Sequence, residues 1–143
     1  MSTTHILLVD DEIEFTDTLS ERLHNRGMDV DVASNGEEAV RKIREKTYDA
    51  VILDMAMPGL SGIDTLKMML EKRPDLQVIF LTGKATVQKS VEALKLGARD
   101  FLEKPVDINA LSKKIKDAEA DHMVLVEKEL EEKIKKIMTK KSW

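Results

Sequence analysis

The chain has 143 residues, of which 42% are hydrophobic and 35% charged, with a net charge of −4 and a pI near 5.5. Such a chain builds one globular domain with a proper core and at most a short appendage. The acidic balance argues against non-specific nucleic-acid binding, the lack of cysteine excludes disulfides and thiolate metal sites, and no apolar stretch approaches the ~20 residues that span a bilayer.

Met1 to His5 carries no signal-peptide pattern, because Asp10 and Asp11 interrupt the apolar run after four residues. A cytoplasmic location is therefore expected. Ile6–Val9 reads as the first strand, a continuous apolar run fit for a sheet buried on both faces. Phe15, Leu19 and Leu23 recur at helical spacing and predict a helix ending at Gly27. Met28–Ala33 alternates apolar and acidic residues, as an edge strand with one wet face does. Ser34-Asn35-Gly36 opens a second helix with Ala39, Val40 and Ile43 inward. Ala50–Leu53 is the third strand. Ser61-Gly62 starts a third helix with Leu66, Met69 and Leu70 inward, broken at Pro74-Asp75. Val78–Leu81 is the fourth strand, and Val87, Val91, Leu94 and Leu96 mark the fourth helix, closed by Gly97. Asp100–Glu103 forms a short fifth strand, Lys104-Pro105 a turn, and a last helix begins near Asp107. This (βα)5 alternation predicts an α/β fold: a doubly wound five-stranded parallel sheet with right-handed crossovers and helices on both faces.

Open sheets of this kind bind ligands at the C-terminal lips of their strands. Asp10, Asp11, Asp54, Thr82 and Lys104 all fall there. Each alone has an ordinary explanation. Asp10-Asp11-Glu12 suits a helix N-terminus, Asp54 and Thr82 suit turns, and Lys104 suits a surface. Together they are more informative. The first and third strands are neighbours in a doubly wound sheet, so Asp10, Asp11 and Asp54 converge. Like charges about 4 Å apart repel by roughly 4 kcal/mol at an effective dielectric near 20, so the cluster needs a cation or a protonated member. His5, His24 and His122 form no ligand motif. With oxygen donors only, Mg²⁺ is the natural ion, and it pairs with phosphate. Lys104 can then neutralise phosphate charge, the Thr82 hydroxyl can donate to a phosphoryl oxygen, and Asp54, with metal beside it, can act as a carboxylate nucleophile in phosphoryl transfer.

At this point the sequence resembles the receiver domain of two-component response regulators. The matching stretches are Ile6-Leu7-Leu8-Val9-Asp10-Asp11-Glu12, Val51 to Gly59, Phe80-Leu81-Thr82-Gly83 and Leu96 to Pro105, within roughly residues 4–120. The resemblance implies a flavodoxin-like strand order of 2-1-3-4-5. It implies that Asp54 is the phosphoacceptor for a sensor histidine kinase or a small phosphodonor. Asp11 and Asp54 would hold Mg²⁺ by side chains, Ala56 by its backbone carbonyl and Asp10 largely through water. Thr82 and Lys104 would bind phosphoryl oxygens, Thr82 and Phe101 would act as the switch pair, and the Lys104-Pro105 bond would be cis. Ala56 and Lys84 occupy positions that tune the lifetime of the phosphoryl group in the family. The face made by the fourth helix, fifth strand and fifth helix would be remodelled on phosphorylation.

Such a domain occupies residues 1–120, and residues 121–143 extend its last helix. Acids lead and lysines follow, which suits the helix dipole. From Ile108 to about Thr139 the helix would measure roughly 48 Å. Its apolar stripe is Ile108, Leu111, Ile115, Ala118, His122, Val126, Leu130, Ile134 and Ile137. The spacing is about 3.6 residues per step, the period of a straight helix and not the 3.5 of a long left-handed coiled coil. The stripe favours a homodimer through this helix over a disordered charged tail. The tail shows no helix-turn-helix pattern, so direct nucleic-acid binding is not expected, nor is membrane association. Whether this is a single-domain regulator or the receiver and linker of a longer one stays open. One rival function is a dimerisation module that works without phosphorylation. Another is a phosphohydrolase on external substrates, disfavoured because Ala56 stands where a general acid would be needed.

Overall fold

A computed structural model describes residues 3–83 and 87–141. In chain order the elements are β1 (Thr4–Val9), α1 (Ile13–His24), β2 (Met28–Ala33), α2 (Gly36–Glu45), β3 (Ala50–Asp54), α3 (Gly62–Lys72), β4 (Val78–Thr82), α4 (Val87–Leu96), β5 (Asp100–Glu103) and α5 (Ile108–Lys141). All sheet pairings are parallel, in the order β2-β1-β3-β4-β5. This is the expected doubly wound fold with its long C-terminal helix.

The central strands are apolar throughout because both faces are covered. On one face Leu7, Val9, Val51, Leu53, Val78 and Phe80 pack with residues of α2 and α3. On the other Ile6, Leu8, Ile52, Ile79 and Leu81 pack with Leu19 and Leu23 of α1 and with Leu111, Ile115 and Ala118 of α5. Strand alternation thus divides one apolar run between two cores. Local chemistry sets the helix starts. The Asn35 side chain accepts from the Glu38 N–H at 2.8 Å, and Ser61 Oγ accepts from the Asp64 N–H at 3.1 Å.

Two strands run one residue further than the apolar pattern indicates. β3 ends on Asp54 and β4 on Thr82, so both polar residues are ladder positions and not turn residues. α4 departs more. It is helical as its spacing indicates, but Ser90 and Ala93 are its buried residues. Val87 is 79% exposed, and Val91, Leu94 and Leu96 also face outward. Ala93 joins the core cluster that holds Val78 and Phe80, and the larger apolar side chains of α4 point away from it.

The stripe on α5 divides at one residue. Leu111, Ile115 and Ala118 are fully buried and His122 is 5% exposed, whereas Val126, Leu130, Ile134 and Ile137 are 44–58% exposed. His122 sits between two acids of the body, its Nε2 3.2 Å from Asp75 Oδ2 and its Nδ1 3.5 Å from Asp49 Oδ1. Beside it Arg99 pairs with Asp121, and two turns earlier Lys114 pairs with Asp100. After His122 the helix leaves the body and runs on for nearly 30 Å at 1.5 Å per residue.

The division has an energetic consequence. Ile115→Ala should lower the unfolding free energy by about 2–5 kcal/mol, because it opens a cavity in a closed core. Ile134→Ala, on the same stripe, should change it by less than about 0.5 kcal/mol in dilute protein. Urea unfolding of the two variants compares them, and equal losses would refute the division.

Candidate functional site

The site lies at the C-terminal lip of the sheet, where β1, β3, β4 and β5 end. Asp54 closes β3 and is 3% exposed, and Asp10 follows β1 and is 2% exposed. Asp11 is next in the chain and open to solvent. Each of the three offers a carboxylate oxygen, and these oxygens lie within 4.8 Å of one another.

Asp10 is held by its own loop and by Lys104. One oxygen accepts from the Glu12 N–H at 3.0 Å, and the other accepts from Lys104 Nζ at 2.9 Å. Glu12 occupies the N-cap of α1 without a side-chain capping bond. The acidic run therefore does not serve as a cap: its first member braces the loop and faces the site. Lys104 Nζ also lies 3.7 Å from Asp54 Oδ1 and 3.7 Å from Glu12 Oε1. Burial pulls its pKa down, but the hydrogen bond to Asp10 and the charges of Asp54 and Glu12 outweigh that, and the net shift is upward. The ammonium also stands 4.3 Å from the Phe15 ring centroid, a cation–π contact from α1.

One lysine does not balance three acids. Burial, and after it the charge of Asp10, pushes the Asp54 carboxyl up to about 6 against the pull of Lys104 and of the Ala56 N–H, which donates to Asp54 Oδ1 at 3.4 Å. An all-oxygen donor set with surplus negative charge fits a hard divalent cation such as Mg²⁺.

Thr82 ends β4 and is 5% exposed, and its carbonyl accepts from the Lys104 N–H at 2.7 Å. That bond ties the tips of β4 and β5 together. The Lys104-Pro105 peptide is cis. Phe101 on β5 is half-buried and packs against the core cluster of α2, α3 and α4. Of the two positions expected to tune a phosphoryl lifetime, Ala56 lies in the loop after Asp54, and Lys84 lies outside the described residues.

Sequence reasoning missed three contributors. Glu12 and Phe15 reach Lys104, although nothing in their spacing singles them out. Gly62 is the third. A Cβ there would lie 2.8 Å from Met55 Cα and 3.0 Å from the Asp54 carbonyl oxygen, so only glycine lets α3 start against the backbone of the loop after β3.

A family model of the response regulator receiver domain matches residues 6–116. Among curated proteins the chain is similar to the transcriptional regulatory protein ZraR of Klebsiella oxytoca, 40% identical over 113 residues, covering 79% of this chain and 26% of that protein. It is also similar to the CpxR homolog of Haemophilus influenzae, 44% identical over 111 residues, covering 78% of this chain and 48% of that protein. The chain thus spans about a quarter to a half of those relatives. Among solved structures, a response regulator receiver domain protein from Clostridium thermocellum superposes with a TM-score of 0.81 at 35% identity, covering 85% of this chain and 98% of that one.

The raised Asp54 carboxyl fixes a pH dependence. Its folded-state pKa lies above its ordinary value of 3.8, so ionising it costs stability as pH rises from about 4 through about 6. Asp54→Asn should therefore be more stable than the native chain at pH 7 without divalent cations, by up to about 3 kcal/mol. The gap should close by about pH 4. Urea unfolding across that range measures it, and a gap that does not vary with pH would show that Asp54 is not strained by charge.

Proposed function

Because the chain belongs to the response regulator receiver domain family, we propose that it is a phosphorylation-operated switch whose acceptor is Asp54. The observation that carries this reading is the meeting of Asp10, Asp11 and Asp54 within 4.8 Å, with Lys104 Nζ 3.7 Å from Asp54 Oδ1. No other cluster of three or more acids and histidines among the described residues is as close.

Mg²⁺ would be held by the side chains of Asp11 and Asp54 and the carbonyl of Ala56, with Asp10 acting largely through water. When bound, it supplies positive charge that cancels repulsion among the acids and toward the incoming phosphoryl group. The chain's own residues then do the rest. An ionised Asp54 oxygen attacks phosphorus. The bond from phosphorus to the donor breaks, and its electron pair leaves with the donor's nitrogen or oxygen, the nitrogen being that of a phosphohistidine on a sensor histidine kinase. Lys104 stabilises the charge on the transferred phosphoryl oxygens. The Thr82 hydroxyl donates to one of them. Water later cleaves the acyl phosphate, and Ala56 is small enough to leave it access. Lys84 is the second tuning position.

Thr82 and Phe101 form the switch. As Thr82 moves toward the phosphoryl group, its carbonyl draws on the Lys104 N–H and hence on the end of β5, and Phe101 follows. The result is a shifted equilibrium between two arrangements of the face made by α4, β5 and α5. The outward Val87, Val91, Leu94 and Leu96 give that face an apolar surface to present. Residues 1–120 form the receiver unit and residues 121–143 its helical extension, through which the chain forms a homodimer. The location is cytoplasmic. The two relatives compared above carry the name of transcriptional regulators, and their additional length is where such an output would reside.

Incubation with a small phosphodonor and Mg²⁺ should label the native chain and leave Asp54→Asn unlabelled. Chelating the metal should abolish labelling. Lys104→Ala should slow it by about 10²–10³-fold, the usual loss on removing one preorganised charge donor. Thr82→Ala should still accept the label but lose the accompanying change at the α4 face, read by amide hydrogen exchange. Label retained on Asp54→Asn would sink the assignment.

A further inference from the structure

The tail carries its charge in blocks. Residues 121–132 hold five acids and one lysine, and residues 133–141 hold five lysines and no acid. The exposed stripe of Val126, Leu130, Ile134 and Ile137 crosses the boundary between them. A helix with this pattern complements itself in one orientation. Laid parallel and in register, two copies set acids against acids and lysines against lysines. Laid antiparallel about a two-fold axis near Glu132, each acidic block meets a basic one, Val126 meets Met138, and Leu130 meets Ile134. Pairs one turn apart within a helix, such as Glu129 with Lys133, form equally in either arrangement and do not discriminate.

The body supplies a second, steric argument. The stripe steps by about 3.6 residues, so it follows one straight line along the helix. Two turns before the tail, that line is the face that the body covers, at Leu111, Ile115 and Ala118. Flanking contacts close the same side, with Lys116 Nζ donating to Thr4 Oγ1 at 3.0 Å and Arg26 to Asn109 Oδ1 at 2.7 Å. A parallel partner continuing along the stripe would enter the space of the receiver body. An antiparallel partner overlaps the tail alone, over residues 123–141, and keeps the two bodies at opposite ends of a rod of about 28 Å.

We infer that the tail pairs with the tail of a second copy in antiparallel orientation, placing the two receiver bodies at opposite ends. This rests on the reading of the tail as a self-pairing helix and adds the direction of pairing. It also specifies the electrostatics: opposite-charge contacts across the seam weaken with added salt, whereas like-charge contacts are relieved by it.

The chain has no cysteine, so single spin labels can be placed at Val124→Cys, exposed and off the stripe, and at Met138→Cys, exposed at the edge of the seam where the antiparallel pairing brings it to Val126. Backbone separations of about 20–26 Å are expected in each singly labelled homodimer, and about 10 Å between unlike labels when the two variants are mixed. The reverse pattern, about 10 Å for like labels and about 20 Å for unlike ones, would overturn the orientation while leaving self-pairing intact. On the native chain, sedimentation should show dimerisation weakening as ionic strength rises, and strengthening would count against the charge pairing. A chain that stays monomeric, with and without a stable phosphate mimic, would mean that another helix covers the stripe, and would overturn both the orientation and the self-pairing reading.

Discussion

An unbalanced charge at the lip of the sheet governs this molecule. Two carboxylates are buried and a third stands beside them, with one ammonium among them. Lys104 cannot serve every acid at once. It bonds Asp10 directly and stands back from Asp54, and Asp54 keeps the strain as a raised pKa. The remaining features support that arrangement. Asp10 is braced by the Glu12 N–H, Lys104 is steadied by Phe15, and Gly62 allows α3 to begin against the loop after Asp54. A site built this way is poised for added positive charge, and a group that brings more negative charge must arrive with its own compensation.

Much of this was legible in the residues because the chemistry and the topology point to the same edge. Apolar runs of four residues, each followed at once by a polar side chain, identify both a buried strand and the end of it that meets the site. Asp54 and Thr82 were therefore locatable without coordinates, although the pattern placed the strand ends one residue early. A ladder position can carry a polar side chain where the sheet meets solvent, and hydropathy alone does not register that. Phe15 and Glu12 were not locatable, since their roles depend on how α1 leans over the loop after β5, a packing relation with no local periodicity.

The fourth helix shows a different limit. Val87, Val91, Leu94 and Leu96 give a clear helical repeat, but repetition reveals a face and not its direction. Ser90 and Ala93 are the side chains turned inward, and a small residue and a hydroxyl give the buried side no hydropathic signature. In α5 the same repeat meets two environments in succession. One stripe serves as core up to His122 and as exposed surface beyond it, and the apolar residues on the two sides of His122 are of the same types.

His122 also sets the mechanics of the tail. It is the last buried residue of α5, gripped between Asp49 and Asp75, and the helix beyond it is a stiff arm of nearly 30 Å. Such an arm magnifies movement at its base. A tilt of α5 by only about 5° at this clamp carries the far end sideways through roughly 2–3 Å, about a quarter of the 8–10 Å that separates the axes of packed helices. A displacement too slight to disturb the core of the body is thus large enough to loosen or tighten the packing of whatever lies along the tail, and the clamp acts as the fulcrum of a lever.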